Sequence, residues 1–492
     1  MARRINRKDT VQKNYIYNVS YNIITVIVPL ITTPYVSRVL SVESIGVYSY
    51  TYSIILYFTA FVALGTKSFA IKRISRENEE NVSYIFWETV LLRMICGVLA
   101  LSVYYPMVLL DSDYTKAAMF QSIYIIAVMF DISWFFQGLE NFKVIVLRNF
   151  VFKILSCAAI FIFIKEDRDL ILYIVLLAGL TFAGNISLWL YLPQCLKKVS
   201  IKKLKPFTGI KEILILFIPT LALQIYAAVD QTMLGKLTQD MVDIGYYSQA
   251  NRIVSAAMTL ITSLSIVTLP RVSSYFGSKE YDKIKECMRK SYSFTLLIAI
   301  PLSVGLISIG DILIPWYLGS AYYGSIPLLY FLSALIIIVG ISDITGFQYL
   351  VATDRQGWYA FSVVMGTCTN IVLNYLLIRE HGAVGAVISS LTAEAVVLAI
   401  QLTLVIGIWK EYSVRDVFGS AWRYLLSALI MFACIYALKK VTSLSGLLGL
   451  VIFIPLGALV YFAMVLILKD ELTKKFLEQK VLKKLKIGRK AN

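Results

Sequence analysis

Stretches of about twenty apolar residues, parted by short polar connectors, recur from one end of this chain to the other. Each is long enough to cross the hydrocarbon core of a bilayer as a helix. The pattern predicts helices at 14–40, 44–66, 84–105, 116–137, 143–164, 170–192, 211–235, 243–269, 289–314, 325–351, 357–378, 383–408, 422–441 and 446–468. Loop charge tests that count. With the N-terminus in the cytoplasm and the connectors alternating, 35 of the 47 Lys and Arg fall on the inner side, eight on the outer, and four inside spans. The positive-inside rule demands such a bias, and one missed span would scramble it. The expectation is an all-α polytopic membrane protein with 14 transmembrane helices and both termini cytoplasmic.

Composition agrees: 58% of the 492 residues are apolar and only 16% charged, against about 25% charged in soluble domains. The net charge of +17 would suit a nucleic-acid partner, but its location excludes one. The charge gathers in the predicted inner loops 67–83, 193–210 and 270–290 and in the tail 469–492, where anionic membrane lipids are the expected partner. The tail alternates apolar and basic positions at helical spacing, as an interfacial helix does; a solvated basic tail fits nearly as well. The basic start (Arg3, Arg4, Arg7, Lys8, Lys13) leads into an apolar run too long for a signal peptide and is expected to remain as the first helix. No cysteine pair has metal spacing, His381 has no neighbouring ligand, and no GxxxxGK[ST] loop is present, so no cofactor is expected. The outer loops are short, which argues against an active site on that side.

The chain repeats itself. Ile45-Gly46-Val47-Tyr48-Ser49 matches Ile244-Gly245-Tyr246-Tyr247-Ser248 at an offset of 199, and Arg73-Ile74-Ser75 matches Arg271-Val272-Ser273 at 198. A near-constant offset argues for two related halves. Pro29 and Pro34, five apart in the first run, are expected to bend or break that helix, as a hinge or as a static kink.

Charge inside the spans carries the functional signal, because an ionisable group at membrane depth costs several kcal/mol unless paired or hydrated. The basic residues are Arg93, Arg148, Lys153 and Arg252; the carboxylates are Glu88, Asp131, Asp230, Asp343 and Glu394. Ser248, Arg252, Ser255, Thr259 and Thr262 fall on one helix face, a polar stripe suited to a wet cavity. Asn149 and Lys153 share a face at i,i+4. If the helix at 357–378 is the counterpart of 143–164, Asn370 and Asn374 answer them. Each has a bland alternative: Arg148 and Glu88 can snorkel to headgroups, and Arg93 can pair with a neighbouring carboxylate for packing alone. Taken together, a cationic, hydrated cavity at this depth fits a lipid pyrophosphate carrying sugars. Arg forks and a Lys point charge suit the phosphates, and hydroxyls and amides suit the sugars. Tyr35, Tyr48, Tyr50, Tyr52, Tyr124 and Tyr226 could stack on sugar rings or serve as interfacial belt residues. Asp230, Asp343 and Glu394 are candidates for H⁺ or Na⁺ coupling or for pairing a buried Arg.

The segments YNIITVIVPLITTPYVSRVLSVESIGVYSY, WFFQGLENFKVIVLRNFVFK (134–153), LQIYAAVDQTMLGKL (223–237) and LNYLLIREHGAVGAVISSLTAEAVV (373–397) resemble the bacterial polysaccharide-repeat-unit flippases of the multidrug, oligosaccharidyl-lipid and polysaccharide exporter superfamily. The resemblance implies two pseudo-symmetric six-helix lobes plus two C-terminal helices, working by alternating access. That divides the chain into 1–205, 206–410, helices 13 and 14 within 411–468, and the tail 469–492. It also implies a monomer in the bacterial cytoplasmic membrane that moves undecaprenyl-pyrophosphate-linked oligosaccharide to the outer leaflet for capsule, exopolysaccharide or O-antigen. A polysaccharide polymerase and glycosyltransferases would be further partners. Arg148, Lys153, Asp230 and Arg252 lie in or beside the matching segments. Competing readings are a peptidoglycan lipid-precursor flippase, a multidrug cation extruder, and a membrane-embedded polymerase or ligase.

Overall fold

In the computed structural model the described residues are 28–76, 79–110, 114–197, 199–442 and 444–468. All their regular structure is helical. The basic tail, the N-terminal basic cluster and the first half of the predicted first helix lie outside them. Eleven helical segments among the described residues are long and apolar enough to cross a membrane. One of these, Gln356–Ile408, joins two helices across a kink at Gly382 (φ 53°, ψ −131°).

The chain forms two compact units, 1–245 and 246–492. The first holds α1 (28–39), α2 (Val42–Ala63), α3 (Thr66–Ile74), α4 (Glu79–Leu110), three short pieces α5 (Thr115–Gln121), α6 (Ile123–Met129) and α7 (Ser133–Gly138), then α8 (Phe142–Phe163), α9 (Leu170–Ser187) and α10 (Ile210–Thr238). The next helix, α11 (Met241–Gly277), begins there. α2 and α3 are one apolar run, interrupted where Leu64 and Gly65 both take the left-handed conformation (φ 41° and 67°). α10 packs along α2, with Ser53 Oγ 2.7 Å from Thr232 Oγ1 and the Tyr57 hydroxyl donating to the same Thr232 oxygen at 3.1 Å.

The repeated motifs meet within this unit. A Cβ on Gly46 would overlap the Met241 carbonyl, and a Cβ on Gly245 would overlap the Val42 carbonyl. Each copy's glycine thus admits the other copy's backbone. Only a residue without a side chain permits that approach.

The second unit continues α11 and holds α12 (Tyr281–Tyr317), α13 (Ser325–Leu332), α14 (Leu335–Asp343) running into a π-helical stretch (Ile344–Val351), and α15 (Gln356–Leu402) ending in another (Thr403–Ile408). The short α16 (Val414–Phe418), α17 (Ala421–Val441) and α18 (Gly446–Ile467) follow. α17 and α18 pack on α12 around Tyr424, Met431, Phe453 and Tyr461. The predicted loop 270–290 is a correction: α11 and α12 extend through nearly all of it, turning only at Ser278–Glu280. Val272, Ile284 and Met288 are buried there, so helical periodicity continues past the membrane-length run.

Candidate functional site

Helix α4 carries Arg93, and two interrupted helices converge on it. At the break between α6 and α7, residues 130–132 leave the helical path, so the carbonyls of Ala127, Phe130 and Asp131 lose their usual i+4 donors. Unsatisfied carbonyls are costly at membrane depth. Each finds a side chain instead. Asn185 Nδ2 donates to Ala127 at 2.6 Å, Trp189 Nε1 to Phe130 at 2.9 Å, and both Arg93 Nη1 (2.7 Å) and Trp134 Nε1 (2.9 Å) to Asp131. Arg93 Nε also donates to Thr66 Oγ1 at 2.8 Å, just past the α2–α3 break. Its guanidinium stands 3.9 Å from the Asp131 carboxylate and 5.7 Å from the Trp134 ring. Arg93 is 2% exposed. The arrangement is a dry staple across two helix breaks, closed to any substrate, and corrects the expectation that Arg93 binds one.

Helix α8 presents the other cations of this unit. Arg148, Asn149 and Lys153 are all half-buried. Arg148 does not snorkel: its Nη1 donates to Asn185 Oδ1 at 2.9 Å. Lys153 lies eleven residues into α8, about 16 Å from its start by helical rise, near the middle of a span. Among the described residues its ammonium has no hydrogen-bond or ion-pair partner. A half-buried ammonium at that depth is costly unless it is paired or hydrated.

Tyr48, Tyr52, Tyr124 and Tyr173 pack on one another within the first unit, with ring centroids 5.2–5.7 Å apart. Tyr50 is buried, and the Tyr35 hydroxyl donates to the Ile164 carbonyl at 2.7 Å. Their first partners are protein. Pro34 sits inside α1 without breaking it over 28–39, and its carbonyl accepts from Arg38 Nη1 at 2.8 Å. Of the expected bend or break, the break does not occur over 28–39. Pro29 stands at the start of the described part of α1. Asp230 is half-buried on α10 near Tyr57.

On α11, Ser248 is buried, Arg252, Ser255 and Thr262 are half-buried and Thr259 is exposed. Asn370 and Asn374 differ. Both are essentially inaccessible, with Asn374 Nδ2 donating to Asn370 Oδ1 at 3.1 Å and Asn370 Nδ2 to Ser390 Oγ at 3.5 Å. They seal the seam between the two halves of α15, which corrects their assignment to a cavity wall. Asp343 stands at the entry to the first π-helical stretch and faces Ser265. Tyr359 lies close to both Asp343 and Glu394, so these carboxylates, far apart in sequence, share one neighbourhood.

Sequence reasoning missed Asn185 and Trp189, whose neutral side chains give no warning. It also missed a clasp outside the spans. Arg355 grips Glu411 bidentately at 2.9 Å, Tyr349 donates to the same carboxylate at 2.6 Å, and Arg355 stacks 4.2 Å over Trp409. The carboxylate contact raises the Arg355 guanidinium above its ordinary value. The helix break did leave a signal: Asp131-Ile132-Ser133 is an Asx-turn sequence, and Ser133 N donates to Asp131 Oδ1 at 2.9 Å.

Comparison with known proteins follows the same lines. The profile of a family described as "Polysaccharide biosynthesis protein" matches residues 11–276, and the MatE profile matches residues 216–376. A protein of Escherichia coli (strain K12) named "Putative O-antigen transporter" is 24% identical over 408 residues, covering 81% of this chain and 97% of the relative. One from Haloferax volcanii named "Probable low-salt glycan biosynthesis flippase Agl15" is 26% identical over 307 residues, 61% of this chain and 62% of the relative. Among solved structures, the lipid II flippase MurJ in an inward closed conformation superposes with a TM-score of 0.72 at 16% identity, covering 92% of this chain and 99% of that one. An inward-facing multidrug resistance MATE family transporter of the MOP superfamily gives 0.61 at 13% identity, with 85% and 95% covered. These two likenesses establish the fold.

Proposed function

The chain belongs to the polysaccharide biosynthesis protein family, a family of multi-pass membrane transporters, and from that premise we propose that it flips undecaprenyl-pyrophosphate-linked oligosaccharide repeat units from the inner to the outer leaflet of the bacterial cytoplasmic membrane. Fourteen helices, arranged as two six-helix lobes and two C-terminal helices, would alternate access to a cationic site. The observation that carries this reading is Lys153, an ammonium at mid-span with no protein counter-ion among the described residues. Phosphate oxygens supply what it lacks. Arg148, whose Nη1 donates to the Asn185 amide, belongs to the same proposed set. Arg252, Ser248 and Ser255 on α11 and Asn149 on α8 complete the proposed set; Arg93, Asn370 and Asn374 are left out of it because they are sealed. The lipid tail stays in the bilayer throughout.

A headgroup with about two negative charges leaving a negative-inside cell gains roughly 2.3 kcal/mol per charge per 100 mV. Asp230, Asp343 and Glu394 are the candidates for coupling to H⁺ or Na⁺. The test is accumulation. In cells carrying Lys153→Ala or Arg252→Ala at normal expression, repeat units should build up on the inner leaflet while surface polymer falls. Undiminished polymer from both variants would remove these residues from the substrate site. A multidrug cation extruder is disfavoured by the same unpaired ammonium, since its cavity should carry net carboxylate.

A further inference from the structure

We infer that Arg355 and Glu411 form a latch in the second unit that holds two π-helical stretches wound together and so fixes the rotation of Asp343 and Gln401 at their far ends, a role independent of which substrate is carried. The two stretches are built alike. Ile344–Val351 follows α14, and Thr403–Ile408 follows α15. Soon after each comes a non-glycine residue with left-handed backbone, Asp354 (φ 59°) beyond the first and Lys410 (φ 52°) beyond the second. The next residues along are Arg355 and Glu411. A π-helix is rare and gathers at functional sites, and positive φ is disfavoured for a residue with a side chain, for lysine more than for aspartate. Such ends stay in place only where neighbouring contacts hold them.

The contacts here join one stretch to the other. Both terminal guanidinium nitrogens of Arg355 donate to the Glu411 carboxylate at 2.9 Å. Tyr349, inside the first stretch, adds its hydroxyl at 2.6 Å, and the guanidinium lies 4.2 Å from the centre of the Trp409 ring, just past the second. Backbone bonds tie the same residues back to the stretches: Arg355 N donates to the Leu350 carbonyl at 2.8 Å and Glu411 N to the Val405 carbonyl at 3.1 Å. A bidentate pair fixes direction as well as distance, so a change of winding in either stretch has to break it. At their other ends the stretches meet again. Ser342 Oγ donates to Gln401 Oε1 at 3.1 Å, and Gln401 Nε2 donates to Ser362 Oγ at 3.1 Å; Asp343 adjoins Ser342. A π-helical bond closes over one residue more than an α-helical bond. Rewinding one stretch to α would therefore turn its far end by about 100° relative to the latch, the angle between successive residues of an α-helix. Opening the latch frees Asp343 and Gln401 to face elsewhere.

Hydrogen–deuterium exchange of the purified full-length protein in nanodiscs tests this, read on peptides from 344–351 and 403–408 with α18 as the internal reference. Arg355→Ala removes the fork from one side, and Glu411→Gln removes the charge from the other. Each should speed exchange in both stretches about tenfold, the worth of a hydrogen bond to a charged group. The double variant should be no faster than either single one, and α18 should not change. Arg355→Lys keeps the charge without the fork; it should loosen both stretches together, though less, and it guards against an alanine variant that fails to fold. The exchanged pair, Arg355→Glu with Glu411→Arg, should return protection to both. Loosening confined to the stretch beside the altered residue would reduce the pair to a local cap and overturn the latch. Additive effects, or unchanged exchange in both stretches, would overturn it as well.

Discussion

Two helix seams in this protein are built from the same materials and put to different use. In the first unit α8 lies against α9, with Asn149 and Lys153 one turn apart and Arg148 bonded across to Asn185. In the second unit the two halves of α15 lie together, with Asn370 and Asn374 one turn apart and Asn370 bonded across to Ser390. The first seam is half-open and carries two basic residues; the second is closed around its two asparagines. A buried amide can bond to other amides, hydroxyls and carbonyls without needing a counter-ion. An ammonium cannot, and one held in a seam is costly unless it is paired or hydrated. Two seams of similar make thus differ in the basic residues that only the first carries.

The sharpest way to break that comparison is to move the charge. Asn374→Lys places an ammonium in the sealed seam and should destabilise the protein by about 3 kcal/mol or more, as an unpaired buried charge does; thermal unfolding in detergent would show it, and a wild-type melting curve would mean the seam is wetter than described. Arg93→Ala comes next. It strips donors from Thr66 and the Asp131 carbonyl and leaves a carboxylate without its counter-ion, for a cost of about 3 kcal/mol. Folded yield should fall before any transport defect in the surviving protein. Lys153→Ala should leave melting near wild type but lower flipping of lipid-linked saccharide in proteoliposomes more than tenfold, about 1.4 kcal/mol or more. The smallest effect belongs to Asn370→Ala, about 1 kcal/mol of stability with undiminished flipping by the folded fraction. If Asn370→Ala abolished flipping and Lys153→Ala did not, the two seams would have to exchange roles.

Much of the fold was legible because lipid is an unforgiving solvent. The last two predicted helices, 422–441 and 446–468, correspond to Ala421–Val441 and Gly446–Ile467, since each run ends where polar residues begin. The interruptions inside runs were less legible. Leu64 lies in apolar sequence with nothing to mark its left-handed backbone, and only Asp131 marked the break at 130–132, because hydropathy carries no information about φ and ψ. The cations were found for the same reason as the helices: charge in hydrocarbon is conspicuous. Their surroundings were not, because Asn185 meets Arg148 across 37 residues and Trp189 meets Phe130 across 59. Whether an arginine is stapled or available depends on those distant neutral groups. That is why Arg93 and Arg148, alike in sequence context, meet different partners.

The reciprocal seating of Gly46 and Gly245 has a bearing on how this protein can change over time. Neither residue is reserved for its own surroundings; each keeps a berth for a carbonyl belonging to the other copy of the motif. A side chain gained at one position would force the opposite backbone aside and spoil the fit at both. The ancient halves are therefore not free to drift as independent sequences at this point. Lineages carrying this chain should hold both glycines together or lose them together, and a search for descendants that kept only one should come back empty.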